Sequence, residues 1–338
     1  MIITRTPFRI SFFGGGTDYP DWFREHGGAV LATSIDKYCY LTVRHLPPFF
    51  EHKHRIVWSR VELTRDVAEI QHPAVRAILA DMNGRDEMNG YEIHHDGDLP
   101  ARAGLGSSSS FAVGLIHAMH ALNGRMVSKQ ELALEAIRIE QEVLRENVGC
   151  QDQVTTAHGG FNRIDFQRNG GIDINPIILP RDRLARLQDS MLLVFSGISR
   201  FASDIAAKQI ENLKVRANEL ATMRDMVDEA TTILASYDDP IEKFGRLLDE
   251  SWKLKRGLAS GVTTSRVDEI YDAAIAAGAY GGKLLGAGGG GFMLFVVSED
   301  RKQAVKDRLQ TLVNVHFRFD TSGSKVLYAE RDEWDNGG

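Results

Sequence analysis

The sequence predicts an α+β protein of two domains, for three reasons. Its 338 residues exceed what a single hydrophobic core holds economically. Short β-rich runs dominate the first hundred residues, and the second half reads as long helices broken by isolated strands.

The β-rich runs are Ile2 to Arg5, Arg9 to Phe13, Tyr38 to Arg44, Arg55 to Arg60 and Tyr91 to His95. Gly, Pro and charged segments separate them, which suggests a strongly curved sheet. A helix is expected from about Ser108 to Leu122, with Phe111, Leu115 and Met119 on one face. A second, Ser128 to about Glu146, opens on a capping box of Ser128 and Glu131. Asn162 to Phe166 and Ile172 to Asn175 flank Gly170-Gly171 as a hairpin. The weakly patterned, charged stretch Leu179 to Asp189 takes the boundary, giving domains at residues 1–180 and 181–338. Beyond it come a strand Met191 to Phe195 and helices over roughly residues 200–236, 240–256 and 265–277. A glycine-rich loop, a strand Phe292 to Val297, a helix from Glu299 and two short strands complete the chain.

Hydrophobic residues make up 43% and charged residues 25%, the balance of a folded soluble chain. The net charge of −6 comes from interleaved signs with no basic block, so a small-molecule partner is expected and nucleic acid is not. No apolar run approaches the roughly 18 residues of a membrane span, and residues 1–13 lack the order of a signal peptide. A cytoplasmic location is the expectation. Cys39 and Cys150 show neither CxxC nor Cys/His spacing and read as small hydrophobes.

The segment Pro100 to Ser110 carries Gly104, Leu105, Gly106, Ser107, Ser108 and Ser109 between an expected strand and an apolar helix. Glycines let the backbone approach an anion, the first helical N–H groups are unpaired, and the helix dipole favours negative charge. A plain cap and turn is the other reading, but four serines exceed what one cap needs. No GxxxxGKS or GxxxxGKT sequence occurs, which excludes an ordinary P-loop. Gly286 to Gly291 matches GxGxxG, yet a β-run follows it instead of a helix, so a dinucleotide oxidoreductase fails on context.

At Gly14-Gly15-Gly16-Thr17-Asp18-Tyr19 a strand ends in glycines and short polar side chains, which either face a polyol or cap a turn. On the helix from Ser128, a 100° wheel puts Leu132, Ala136, Ile139 and Val143 together, with Glu140 inside that arc. A carboxylate facing the interior needs a cation or donors, which makes Glu140 a candidate metal ligand; snorkelling at the arc edge is the alternative. Asp152, just past this helix, is either a base beside the phosphate loop or a turn residue.

Taken together and in this order, the segments resemble the GHMP kinase superfamily over nearly the whole chain. The three motifs lie at Pro7 to Tyr19, Pro100 to Ser110 and Lys283 to Phe292. The resemblance implies an N-terminal domain like ribosomal protein S5 domain 2, a ferredoxin-like C-terminal domain, and ATP with Mg²⁺ at a site between them. By position it implies that Gly104 to Ser109 cradle the phosphates, and that Ser108 and Glu140 hold the metal. Asp152 would deprotonate or orient the attacking hydroxyl, and Arg9 would steady that carboxylate or the moving phosphoryl group. Thr17, Asp18, Tyr19, Arg200, Gly288 and Gly289 would meet the acceptor. Ser109 and Ser110 stand where the commonest motif has alanine, which leaves open which serine meets the metal. Phe12 to Pro20, Gly149 to Gln153 and Phe195 to Ser203 look like the branch that phosphorylates heptose phosphates, while Thr17-Asp18-Tyr19 also resembles galactokinases. A silent sugar- and ATP-sensing relative is the competing class. Loss of Asp152 or Glu140 would have favoured it, and both are present.

Overall fold

A computed structural model describes residues 1–82, 90–198, 203–236, 238 and 240–330. Strand β1 (Ile2–Phe13) is buried on both faces from Thr6 onward and so must be covered twice. It pairs antiparallel with β2 (Gly28–Leu46) along its whole length, after the short helix α1 (Pro20–His26) turns the chain. Two separate runs were expected where β1 is continuous, and only Tyr38 to Arg44 was expected of β2. Pro7, which lacks a ladder N–H, is accommodated by a register shift between Pro7 and Phe8.

The sheet continues through β3 (His54–Val57), β4 (Val61–Thr64) and β5 (Gly90–Gly97), with helix α2 (Pro73–Met82) between the last two. Helices α3 (Ser107–Leu122), α4 (Lys129–Arg138) and α5 (Gln151–His158) come next, and α3 and α5 pack on β1 and β2. The expected hairpin forms as β6 (Phe161–Phe166) and β7 (Ile172–Pro176), with β6 joined to the first part of β2.

The second half holds α6 (Arg181–Asp189), β8 (Met191–Phe195), α7 (Ser203–Glu211), α8 (Ala217–Ala235), α9 (Ile241–Arg256) and α10 (Ser265–Ala276). Then come β9 (Ala279–Leu284), β10 (Phe292–Val297), α11 (Glu299–Arg308) and β11 (Val313–Val315). Its antiparallel sheet has the order β11-β8-β10-β9. The chain then crosses back: β12 (Phe319–Asp320) pairs with β2, and β13 (Lys325–Ala329) pairs with β1 to complete the order β13-β1-β2-β5-β3-β4. The mixed helices and strands are the α+β class that was expected. Phe244 of α9 packs edge-on against Phe12 and Phe13, with ring centroids 5.5 and 5.2 Å apart, and joins the two layers in one apolar core.

Several expectations are corrected. Leu179 to Asp189 contains a helix, and the long helix over residues 200–236 is two, α7 and α8. Helices α2 and α5 were not foreseen, and Asp152 lies in the first turn of α5 instead of a loose turn. The helix expected to Glu146 is α-helical to Arg138 and closes with a π-turn, Ile139–Val143, in which Leu144 N donates to Ile139 O at 2.8 Å. The residue added to this turn rotates the side chains beyond Glu140 away from the α-helical wheel, and Val143, expected on the apolar side, is 42% exposed. Arg200 and the start of its expected helix lie outside the described residues.

Candidate active site

The phosphate-type loop is built by three left-handed residues, Arg102, Gly104 and Gly106. Gly106 is the N-cap of α3, and a Cβ there would sit 2.9 Å from Arg9 Cγ and 3.4 Å from Asp152 Oδ2. Glycine is therefore required by both backbone and space. The first N–H groups of α3 have no helical partner and open beside Arg9 and Asp152.

The four serines divide the work. Ser107 Oγ accepts from Arg102 N at 3.0 Å, and Ser110 Oγ donates to Pro7 O at 2.9 Å. Ser108 Oγ and Ser109 Oγ donate to Glu140 at 3.1 and 2.7 Å, and Gln153 Nε2 donates to the same carboxylate. Glu140 is 0% exposed, and burial pushes its carboxyl up to about 7. Among the described residues no cationic side chain pairs with it. Ser109 is buried while Ser108 is exposed, so Ser108 stands between Glu140 and solvent.

Arg9, on β1 and 5% exposed, grips Asp152 with both ends of its fork: Nε donates to Oδ1 at 2.7 Å and Nη2 to Oδ2 at 2.6 Å. Its Nη1 donates to Gly104 O at 2.6 Å, and its backbone N to Leu105 O at 2.9 Å. One side chain thus ties the phosphate loop to the carboxylate.

Asp18 is buried beside Asp152, and burial raises its carboxyl although Gly16 N and Gln151 N donate to it at 2.9 and 3.2 Å. A Cβ on Gly149 would lie 1.9 Å from Asp18 Oδ2, so that glycine makes room for the carboxylate. Of its two neighbours, Thr17 differs from the expectation. Thr17 Oγ1 donates to Gly14 O and Ala29 O and is wholly internal, and the Tyr19 ring lies in the core. The Thr17 hydroxyl is therefore spent on backbone, whereas the Tyr19 hydroxyl lies near enough to Asp18 and Asp152 for their charges to add to the upward shift that burial gives it.

The third glycine segment supports the first loop from behind. A Cβ on Gly286 would come within 2.5 Å of Gly104 Cα, one on Gly291 within 2.3 Å of Ala103 O, and Phe292 N donates to Ala103 O at 3.0 Å. Gly288 and Gly289, expected at the acceptor, face Val262 instead: Gly289 N donates to Val262 O at 3.0 Å, and a Gly288 Cβ would meet Val262 Cα at 2.7 Å.

Two buried lysines went unnoticed in the sequence. Lys283 of β9, 2% exposed, donates to Ser11 O at 2.9 Å and to Phe12 O at 2.7 Å across the two sheets. Lys255 of α9, 7% exposed, donates to Gly286 O. Lys255 was legible by the test that singled out Glu140, since it falls on the apolar arc of Phe244, Leu247, Leu248, Ser251 and Trp252. An open concavity of about 850 Å³ lies elsewhere, along β6, β7 and the end of α5, where Lys129 Nζ is already held by His158 O and Ser322 O.

A glycine-rich loop at a helix N-terminus, a buried carboxylate behind it and an arginine-held aspartate in front define a phosphotransferase site. Comparison with known proteins agrees. The sequence pattern of the GHMP kinases N terminal domain matches residues 69–160, and that of the GHMP kinases C terminal matches residues 237–314. A D-glycero-alpha-D-manno-heptose 7-phosphate kinase of Campylobacter jejuni is 29% identical over 89% of this chain and 91% of its own. A mevalonate kinase of Pyrococcus horikoshii is 31% identical over 70% of this chain and 68% of its own. The fold is shared with a crystal structure of a D-glycero-D-manno-heptose 1-phosphate kinase from Bacteroides thetaiotaomicron, at a TM-score of 0.78 and 23% identity, covering 98% of this chain and 100% of that one. The chain belongs to the GHMP kinases, and it is an ATP-dependent phosphotransferase with an alcohol group as acceptor. No described helix is long and apolar enough to cross a membrane.

Proposed function

We propose that this kinase transfers the γ-phosphate of ATP to the anomeric hydroxyl of D-glycero-D-manno-heptose 7-phosphate, giving the 1,7-bisphosphate for bacterial GDP-heptose and surface polysaccharide synthesis. The observation that carries the reading is the bidentate Arg9–Asp152 pair at the mouth of the Gly104–Ser109 loop. There an acceptor hydroxyl and the γ-phosphorus meet in line, and positioning is most of what phosphoryl transfer asks. Asp152 takes the hydroxyl proton or orients the hydroxyl, Arg9 holds Asp152 aimed, and Asp18 engages the sugar beside it. Arg200 is assigned to the distal phosphate, and the domain division is placed at residues 180/181, with β12 and β13 returning to the sheet of the first domain.

Mg²⁺ fits the buried Glu140 and the exposed Ser108 hydroxyl at its rim. Among the described residues the carboxyl pairs with no cationic side chain, and no group of three or more His, Cys, Asp or Glu side chains forms a protein cage. That suits an ion bound mainly by one carboxylate and substrate phosphates. When bound, it would neutralise charge on the phosphate oxygens.

Another sugar kinase of the family, acting on unphosphorylated heptose, fucose or galactose, is favoured by Thr17-Asp18-Tyr19. The test is an ADP-release screen against heptose 7-phosphate, heptose, mannose, fucose, galactose and mevalonate. Turnover of heptose 7-phosphate at least ten-fold above the unphosphorylated sugars is expected. Equal kcat/KM for heptose with and without phosphate overturns the proposal.

A further inference from the structure

Arg9 is committed, since its fork is turned to Asp152 and Gly104. Lys283 gives two of its three N–H groups to Ser11 O and Phe12 O. Lys255 is different. Among the described residues its ammonium has one acceptor, Gly286 O, and two N–H groups remain unspent in a buried setting. Gly286 is the residue that backs onto Gly104 of the phosphate loop, so Lys255 reaches the same point from the second layer. The charges acting on it are Arg9, Lys283, Asp18 and Asp152. With Arg9 balanced by Asp152, Lys255 is left with Asp18 as its carboxylate, and Lys283 lies nearby without adding an acceptor. Buried ammonium groups with spare donors are costly without an anion.

We infer that Lys255 is the cation that meets the transferring phosphoryl group, approaching from α9 opposite Arg9. In the transfer the acceptor oxygen bonds to the γ-phosphorus as the bond from that phosphorus to the β,γ-bridging oxygen breaks. The hydroxyl proton passes to Asp152, and the bonding pair leaves on the β-phosphate of ADP. Lys255 donates to an equatorial oxygen of the moving group, where charge is spread in the transition state. Its ordinary basicity is depressed to about 8, by burial first and by Arg9 second, and the negative charge of an arriving phosphoryl group works against both.

The inference rests on the kinase reading but not on the identity of the sugar, so the test uses no sugar. Calorimetry compares ADP alone with ADP plus aluminium fluoride, a mimic of the moving group, for the full chain and for Lys255→Met. Slow ATP hydrolysis is read in parallel. In Lys255→Met we expect ADP affinity within about three-fold of the unmutated chain, and at least about thirty-fold lost from the fluoride complex and from hydrolysis. Lys255→Arg should recover part of the loss. Unchanged fluoride affinity in Lys255→Met overturns the inference, as does equal loss of ADP and fluoride binding, or no gain from fluoride in the unmutated chain. Should Lys255→Met not fold, Lys255→Gln, which keeps a donor for Gly286 O, carries the same comparison. Tight fluoride binding by a chain that phosphorylates no sugar would retire the proposed substrate and leave Lys255 in its role.

Discussion

At the scale of single residues, the site sets two carboxylates in opposite surroundings. Asp152 is part-exposed and paired in a fork with Arg9, which fixes where its two oxygens point. Asp152→Asn keeps the size and one acceptor oxygen but loses the proton acceptor. It should lower kcat at least about 100-fold while leaving ATP affinity nearly unchanged, as steady-state kinetics and nucleotide titration would read. Near-normal kcat in the folded variant would remove Asp152 from the chemistry. Glu140 is the reverse case, wholly buried with a carboxyl near neutrality and three side-chain donors. Glu140→Gln satisfies the serines and still fills the space, but it offers a divalent ion no anionic oxygen. The Mg²⁺ concentration for half-maximal rate should rise, by about ten-fold or more, with folding intact. An unchanged Mg²⁺ titration would make Glu140 a structural residue.

At the scale of elements, α2 is held to α3 by aromatic contacts that carry a pH dependence. His72, just before α2, stacks on Phe111 of α3 with ring centroids 4.6 Å apart, and Trp58 meets its edge at 4.9 Å. Burial first, then the nearby His95, lowers His72 to about 4, against an ordinary value of 6.5. Between those values the unfolded chain binds a proton that the folded chain refuses. Stability is therefore full above pH 6.5 and falls as pH drops toward 4. Burial shifts His95, His117 and His158 in the same direction, so the histidines together cost stability from pH 7.5 to pH 5, while the raised carboxyl of Glu140 acts in the opposite sense. His72→Phe keeps the stack and removes one titration. Urea denaturation at the two pH values should show a smaller loss in this variant, and identical losses would refute the assignment.

At the scale of the whole molecule, the site exists only because two sheets are pinned together. Lys283 ties β9 to the end of β1, immediately before the Gly14–Asp18 turn. Replacing a buried charge by a hydrophobe is often neutral when its partner is replaced too. Here the partners are backbone carbonyls, which stay behind unsatisfied, and each such group costs about 1–3 kcal/mol. Lys283→Met should therefore destabilise the fold by about 2 kcal/mol in chemical denaturation, with kcat/KM for the acceptor falling as the turn loosens. Unchanged stability would mean that the two layers are held by the Phe12–Phe13–Phe244 contacts alone.

Local chemistry was enough for the features that depend on neighbours in the chain. The Gly104–Ser110 loop, the capping box at Ser128 and the β6–β7 hairpin each arise from backbone freedom, capping or turn preference within a few residues. The inward direction of Glu140 was legible for the same reason, because a helix wheel is a local object. The pairing of Arg9 with Asp152 is separated by 143 residues, and the contact of Gly104 with Gly286 by still more. Nothing in either segment alone specifies the other. The π-turn at residues 139–143 was hidden because one added residue per turn leaves no periodic mark in five positions. Thr17, Gly288 and Gly289 suited a ligand by residue type, and tertiary packing used them to hold backbone. Lys255 and Lys283 acquired their meaning in the opposite way. A lysine is ordinarily a solvated residue, and only burial between two sheets, with carbonyls and carboxylates converging on it, makes it part of a site.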